Sequence, residues 1–578
     1  MLRLNKSLVF LALFALFGLA ASHIHAFDIF WQLQSGKYMV ETGSIIRTDL
    51  FTLASDAPRY EHCWLHDLVT YAAYRLGGYP ALSLLKGLLL GAMALFLVLA
   101  ARTRSSSWLA ILLVLPILFA GMGGWLARPQ LWTFCFFALF VWVLERHRRN
   151  GGRRILWLIP VVLLWANLHA GVVLAAALWL AYAAGGFANR VVFGKEEKIN
   201  LKRLFWLAPG LMVAAALTPY PDYLWSTLRG IARLGAHNSA GGQLVGPMTA
   251  IFNMDWRPTT FAGEPQFFYA LIATALILLV GWRRNRFTDL FLLGGLALMG
   301  WRLSRHTTFL YLGMVAILPA YLDVAVRPLA DRVSKRTATV LVLCLTLTGA
   351  ASFAWFAKPP LEKYGWFRLG LRPFQYPVAA VDFLKKESLP KNLYNTYDWG
   401  GYLAWQLFPE YLVFWDGRQN SAEMFRYGWE IMAGKPGWED HLDRFAVNTI
   451  VTRTCTMDTG QRFPLLDRLR TSPDWVLVFQ DPAALVFVRR NALPTAWVME
   501  HELPPDRIDD TILATGRRLV ADNPNRYIAW WEIARIELAR RNYAEAFTSL
   551  GEYLRRTPVP DPTAEYYYRM LYPTQQGR

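Results

Sequence analysis

The chain has 578 residues, 54% of them hydrophobic and only 18% charged, with a formal net charge of +18. Soluble globular proteins carry about 25% charged residues, so these figures exclude an ordinary soluble protein and point to a bilayer. The positive charge sits in short segments between long apolar runs, which excludes a nucleic-acid binder and leaves the basic residues to orient the chain.

A helix needs about 20 apolar residues to cross the hydrocarbon core. On that measure eleven spans are predicted, near 7–26, 80–101, 107–126, 129–145, 155–168, 171–188, 204–219, 266–282, 288–301, 307–325 and 338–357. A cytoplasmic N-terminus sends "ARTRSSS", "ERHRRNGGRR", "FGKEEKINLKR", "WRRNR" and "RPLADRVSKR" to the cytoplasmic side, as the positive-inside rule requires. Everything after residue 358 then lies outside. The first run, with Arg3 and Lys6 before it and "HIHA" after it, has signal-peptide features, but its length favours an uncleaved anchor. The expected fold class is a multi-pass α-helical membrane protein of about 11 spans, followed by an external α/β domain and a short all-α segment.

The first outer loop, 27–79, opens with Asp28. Ile29, Phe30, Leu33 and Val40 follow at helical spacing opposite Gln32, Gln34 and Lys37, and Gly43 supplies a stop. This pattern predicts a helix lying in the membrane interface. Asp28 suits an N-cap, which would satisfy an orphan amide. It equally suits a catalytic carboxylate made more basic by Phe27, Phe30 and Trp31. An extended stretch carrying Asp49 comes next, then a second helix, "HCWLHDLVTYAAYRL", ended by Gly77-Gly78. On that helix His62 and His66 stand four apart beside Glu61 and Asp67, a spacing that can present two ligands to a divalent metal from one face, or simply a solvated surface.

Charges at the outer ends of apolar spans are costly and therefore informative. Arg128 sits at one such end, and Arg302, Arg305 and His306 at another, against the positive-inside trend; Asn167 and His169 lie at the same depth. Singly each suits snorkelling or an interhelical hydrogen bond; together they would hold a phosphate, with Asn167 and His169 in support. The second outer loop, 219–266, carries the glycine-rich "GAHNSAGGQLVG", a cover for the acceptor or a connector.

Residues 358–490 alternate β-branched and aromatic runs with helical patterns, as an α/β domain does. Within it, Asp398-Trp399-Gly400-Gly401 reads as a turn, and Asp416-Gly417-Arg418 as a strand end with an Arg–Asp pair. Residues 491–578 are helical, and Trp530, Ile533, Ala534, Ala546, Leu550 and Pro558 fall at tetratricopeptide positions, with Pro524 one 34-residue period earlier. That region would pack internally or take a protein partner. Cys63 and Cys455 would both lie outside, where a disulfide between them is open.

A cytoplasmic N-terminus, one span, an acid just outside, an amphipathic helix and a second acid about twenty residues on together resemble the GT-C superfamily of polyprenyl-phosphate-sugar glycosyltransferases. The resemblance covers roughly 1–357 and is nearest to the mannosyltransferase-like and arabinosyltransferase-like members. It implies that Asp28 is the general base for an inverting transfer, that Asp49 occupies the place of the second acid, and that a divalent cation serves some members. The chain departs from the mannosyltransferase pattern, because Asp28 is followed by Ile29 and Asp49 by Leu50-Phe51. Asp398, Asp416 and Arg418 occupy a stretch faintly similar to an acceptor-recognition motif of oligosaccharyltransferases, in a different residue order. The partners so implied are the lipid bilayer, a lipid-phosphate-linked sugar, and a glycan, lipid or protein acceptor at the outer face of a bacterial inner membrane. Two other classes fit the same layout: a non-catalytic envelope scaffold working through its helical repeat, and an O-antigen ligase or polymerase.

Overall fold

The computed structural model describes residues 2–53, 61–194, 199–220, 258–324, 367–372, 374–418 and 421–576. The expected span at 338–357 and the glycine-rich stretch of the second outer loop lie outside these residues. Contacts divide the chain into two compact units. One comprises Met1–Ala26, Ser35–Ile46 and Tyr60–Leu371; the other comprises Phe27–Gln34, Arg47–Arg59 and Arg372–Arg578.

Among its described residues the first unit consists of helices and the loops that join them. Its helices are α1 (Leu2–Ala20), α2 (Asp28–Thr42, of which the second half belongs here), α3 (Trp64–Arg104), α4 (Trp108–Val114, continued by a 3-10 stretch to Gly124), α5 (Gln130–Asn150), α6 (Leu158–Leu168), α7 (Val173–Phe193), α8 (Leu201–Ala216), α9 (Pro265–Val280), α10 (Phe287–Arg302) and α11 (Thr307–Ile317). Helices thus stand at every expected span position up to residue 324. Three helical stretches among the described residues, Trp64–Arg104, Ala170–Phe193 and Ser304–Val324, are long and apolar enough to cross a membrane; several others are shorter. The long α3 is two helices joined at a kink: Gly78 has φ +61°, a backbone conformation that a side chain disfavours. Leu90, Met93, Phe134, Phe137, Phe140 and Leu310 are among the fully buried residues of one continuous apolar core.

A buried polar knot ties the ends of five of these segments. The Arg104 guanidinium bonds Glu145 at 2.9 Å and pairs with Asp289, Tyr182 donates to Glu145 at 2.6 Å, and Tyr321 donates to Asp289 at 2.6 Å. Side-chain exposure is 5% or less at Arg104, Glu145 and Asp289, so every charge there meets an opposite one.

The second unit holds a four-stranded sheet of order β1-β2-β4-β3, with strands β1 (Leu393–Asn395), β2 (Thr449–Thr452), β3 (Trp475–Gln480) and β4 (Leu485–Arg489). β1 and β2 are parallel; β4 runs antiparallel to both its neighbours. A first-loop segment extends this arrangement. Thr52 bridges Val413 in parallel, with Leu53 N donating to Val413 O at 2.9 Å and Val413 N to Phe51 O at 3.2 Å, while Val413 also bridges Leu393 of β1. Short helices flank the sheet: α12 (Val378–Glu387), α13 (Gly400–Leu407), α14 (Ala422–Met432), α15 (Trp438–Arg444), α16 (Leu465–Thr471) and α17 (Thr495–His501). Four longer ones close the chain: α18 (Arg507–Asp522), α19 (Tyr527–Ala539), α20 (Tyr543–Arg556) and α21 (Pro562–Gln576). Ile533, Ala534, Ala546 and Leu550 are buried where α19 and α20 pack, and Ile508, Ile512 and Leu519 of α18 join the core beneath the sheet. No break separates residues on either side of 490 in this unit.

Candidate active site

The second unit collects acids that lie far apart in sequence. Asp28, the first residue of α2, is half-buried. Its position is set by two close approaches that glycines permit. A Cβ on Gly401 would meet Phe27 O at 3.2 Å and Trp31 N at 3.3 Å, and a Cβ on exposed Gly417 would meet Asp28 Oδ1 at 2.8 Å. Gly400 does the same for the strand end: a Cβ there would lie 2.1 Å from Trp415 O. The Trp-Gly-Gly turn therefore seats the start of α2 on one side and Asp416 on the other.

Beside Asp28 lies a clamped cation. Arg418 pairs with Asp416 Oδ2 at 2.6 Å and with Asp49 Oδ1 at 3.1 Å, and its guanidinium carbon stands 4.9 Å from the Phe51 ring centroid. Asp49 is fully buried and also accepts from Phe51 N at 3.1 Å and Thr52 Oγ1 at 2.5 Å. Its oxygens are thus committed to the turn and the guanidinium. This geometry makes Asp49 a holder of Arg418.

A second ion pair completes the cluster. Arg453 Nη1 donates to Asp398 Oδ2 at 3.2 Å, with its guanidinium 4.8 Å from the Trp399 ring and 5.6 Å from Phe27. Burial of the Asp398 carboxyl raises its pKa above the ordinary aspartate value, helped by the charges of Asp458 and Asp28 and opposed by Arg453. With 42% of the side chain open to solvent, water screens part of this effect.

Polar groups also converge in the membrane unit. His169 stands within electrostatic range of His62, His66, Arg305 and His306. Asn167 Oδ1 accepts from Trp64 Nε1 at 2.9 Å, while its amide nitrogen donates to Leu163 O and Leu217 O. A cavity of about 500 Å³, lined mostly by apolar side chains of Leu65, Leu163, Leu164 and Leu217, opens beside Trp64 and Asn167. Arg128 and Arg305 are half-buried, Arg302 exposed.

At the expected His62/His66 pair, one ring nitrogen of His66 is occupied by a donor. His66 Nδ1 accepts from Trp132 Nε1 at 3.0 Å, and its other nitrogen lies 3.3 Å from Thr70 Oγ1. No cluster of three His, Cys, Asp or Glu side chains suited to a metal occurs among the described residues. Cys63 and Cys455 are both buried, one in each unit.

No family model matches the chain, and no curated protein is similar to it in sequence. In fold it is similar to the archaeal oligosaccharyltransferase AglB from Archaeoglobus fulgidus, solved with an inhibitory peptide and a dolichol-phosphate: TM-score 0.56, 11% identity, 96% of this chain and 86% of AglB covered. The likeness to AglB is one of fold. Two further structures are similar at TM-scores below 0.5. The mycobacterial arabinofuranosyltransferase AftD gives 0.49 at 14% identity, over 84% of this chain and 41% of AftD. ArnT from Cupriavidus metallidurans, solved with undecaprenyl phosphate, gives 0.46 at 12% identity, over 85% and 99%.

Within the second unit, four of the charged residues named from sequence, Asp28, Asp49, Asp416 and Arg418, come together, with Asp398 near them. Arg453 and Gly417 escape sequence reasoning. Arg453 had one signal, a guanidinium directly after the apolar strand "TIVT"; Gly417 had none, since its role depends on a neighbour from another loop.

Proposed function

We propose that this protein is a membrane glycosyltransferase that transfers a sugar from a polyprenyl-phosphate donor to an acceptor at the outer face of a bacterial inner membrane. The observation carrying the proposal is the seat of Asp28. Its carboxylate rests against an exposed glycine, next to a guanidinium fixed by two other acids, within a GT-C fold. Asp28 takes the proton of the acceptor hydroxyl. The acceptor oxygen then bonds to the anomeric carbon, the bond from that carbon to the phosphate oxygen breaks, and its electron pair leaves with the lipid phosphate. Attack opposite the leaving group inverts the anomeric centre. Arg128, Arg302, Arg305 and His306 are the candidate phosphate-binding groups of the first unit. Asp398, Asp416, Arg418 and Arg453 orient the acceptor. The helices α18 to α21 form a tetratricopeptide-like module.

The test is sugar release from a panel of lipid-phosphate sugars by wild type and Asp28→Asn. Wild-type turnover lost in the variant supports the proposal; equal rates, or no turnover with any donor, overturn it. A scaffold reading draws on the exposed Tyr566, Met570 and Tyr572 of α21, which would contact a protein partner.

A further inference from the structure

One histidine of the membrane unit is locked in a single protonation pattern by its neighbours. His169 Nδ1 accepts from Gly171 N–H at 3.0 Å and lies 2.7 Å from Thr133 Oγ1. A backbone N–H can only donate, so Nδ1 holds no proton. The Thr133 oxygen already accepts from Trp165 Nε1 at 2.8 Å, which leaves its own hydrogen for the ring. Two donors therefore converge on one imidazole nitrogen, and the ring proton sits on Nε2. The seat admits no larger residue: a Cβ on Gly171 would fall 2.3 Å from Thr133 Oγ1 and 2.7 Å from His169 Nδ1.

The other nitrogen is uncommitted. Among the described residues no protein group meets His169 Nε2, although His62, His66, Arg305 and His306 surround the ring within electrostatic range. His306 Nδ1 is likewise buried without a hydrogen-bond partner. His66 is held in the same pattern, its Nδ1 accepting from the donor-only Trp132 indole. Adding a proton to His169 Nδ1 would set it against two donors, so the ring stays neutral.

We infer that His169 is a fixed, uncharged Nε2–H donor for a phosphate oxygen of the lipid-linked sugar, with Thr133 and Gly171 as its positioning residues. This rests on the proposed donor class. A neutral donor beside the Arg305 guanidinium adds a hydrogen bond without adding charge, which suits a singly charged phosphodiester. It also keeps binding level across the pH range in which an ordinary histidine would gain charge.

The experiment uses the full-length protein in nanodiscs with ¹⁵N-labelled histidine and farnesyl methyl phosphodiester, which carries one negative charge throughout. The His169 resonances are assigned by their loss in His169→Gln. Nδ1 is expected to stay unprotonated from about pH 5 to pH 8, and the Nε2–H signal to move as the probe binds. His169→Ala should weaken binding roughly fivefold, as loss of one neutral hydrogen bond does; His169→Gln, whose amide nitrogen overlays Nε2, should restore most of it. Thr133→Val should release the ring and make probe affinity depend on pH. A protonated Nδ1 in that range, or a bound probe that leaves Nε2–H unmoved, overturns this inference alone. A probe that does not bind the protein at all overturns the donor class with it.

Discussion

A methyl group added at Gly417 would lie 2.8 Å from Asp28 Oδ1, so Gly417→Ala must push that carboxylate aside. Gly417 is solvent-exposed and outside the left-handed region, so the change strains neither backbone nor core. Transferase kcat/KM is expected to fall about 10- to 100-fold through misplacement of the base, with Tm unmoved. Asp28→Asn, which removes the base, should cost about 10²- to 10⁴-fold. Asp49 should behave in the opposite way. Its partner Arg418 has a side chain only 1% exposed, so Asp49→Ala deprives a buried guanidinium of one of its two acids. Thermal or chemical unfolding should register a loss of about 3–5 kcal/mol. Asp398 is a third case. Its raised pKa means that the folded state binds a proton more tightly than the unfolded chain does. The stability linked to that proton is complete below the unfolded pKa and is lost as pH rises through the folded one. Asp398→Asn should therefore raise Tm at pH 7.5 and lose that advantage as pH falls toward the ordinary aspartate range.

At the scale of elements, the buried knot around Arg104 makes a separate claim. Basic residues that orient the chain by their number also act singly here, since Arg104 joins α3 to α5 and α10 through Glu145 and Asp289. Arg104→Met leaves the Asp289 charge with Tyr321 but without its guanidinium. Unfolding in detergent should show a loss of about 3–5 kcal/mol, and Arg104→Met with Asp289→Leu should recover part of it. These helices were legible beforehand because each is a long apolar run, and the bilayer sets its length. The Gly77-Gly78 break was legible for a local reason as well, since two adjacent glycines end a helical pattern. The pairing of Thr52 with Val413 was not. Periodicity says that "DLFT" and "YLVFW" are extended, but nothing in either says that they meet. The brace between Asp49 and Arg418 was consequently not legible.

For the whole molecule, the enzyme and scaffold readings separate cleanly in cells. If the chain is a glycosyltransferase, Asp28→Asn should fail to complement a deletion strain, while Tyr566→Ser with Tyr572→Ser, both on the exposed face of α21, should complement it. Complementation by Asp28→Asn combined with failure of the tyrosine pair would hand the function to the scaffold. Sequence revealed the layout of the molecule and most chemically notable side chains of the soluble cluster. It missed Arg453 and Gly417, because a site assembled from two loops and a strand end exists only once tertiary pairing has occurred.

That same pairing imposes a schedule on biogenesis. Because the Thr52 segment finds its partner about 360 residues downstream, a ribosome adding 5–20 residues per second leaves it waiting roughly 20–70 s. Throughout that interval Asp49 has no Arg418 to hold, and the first-loop segment stands without its partner strand. Newly made protein should therefore pass through an interval of protease sensitivity and inactivity, which ends only when the "VFWDGR" stretch has been made.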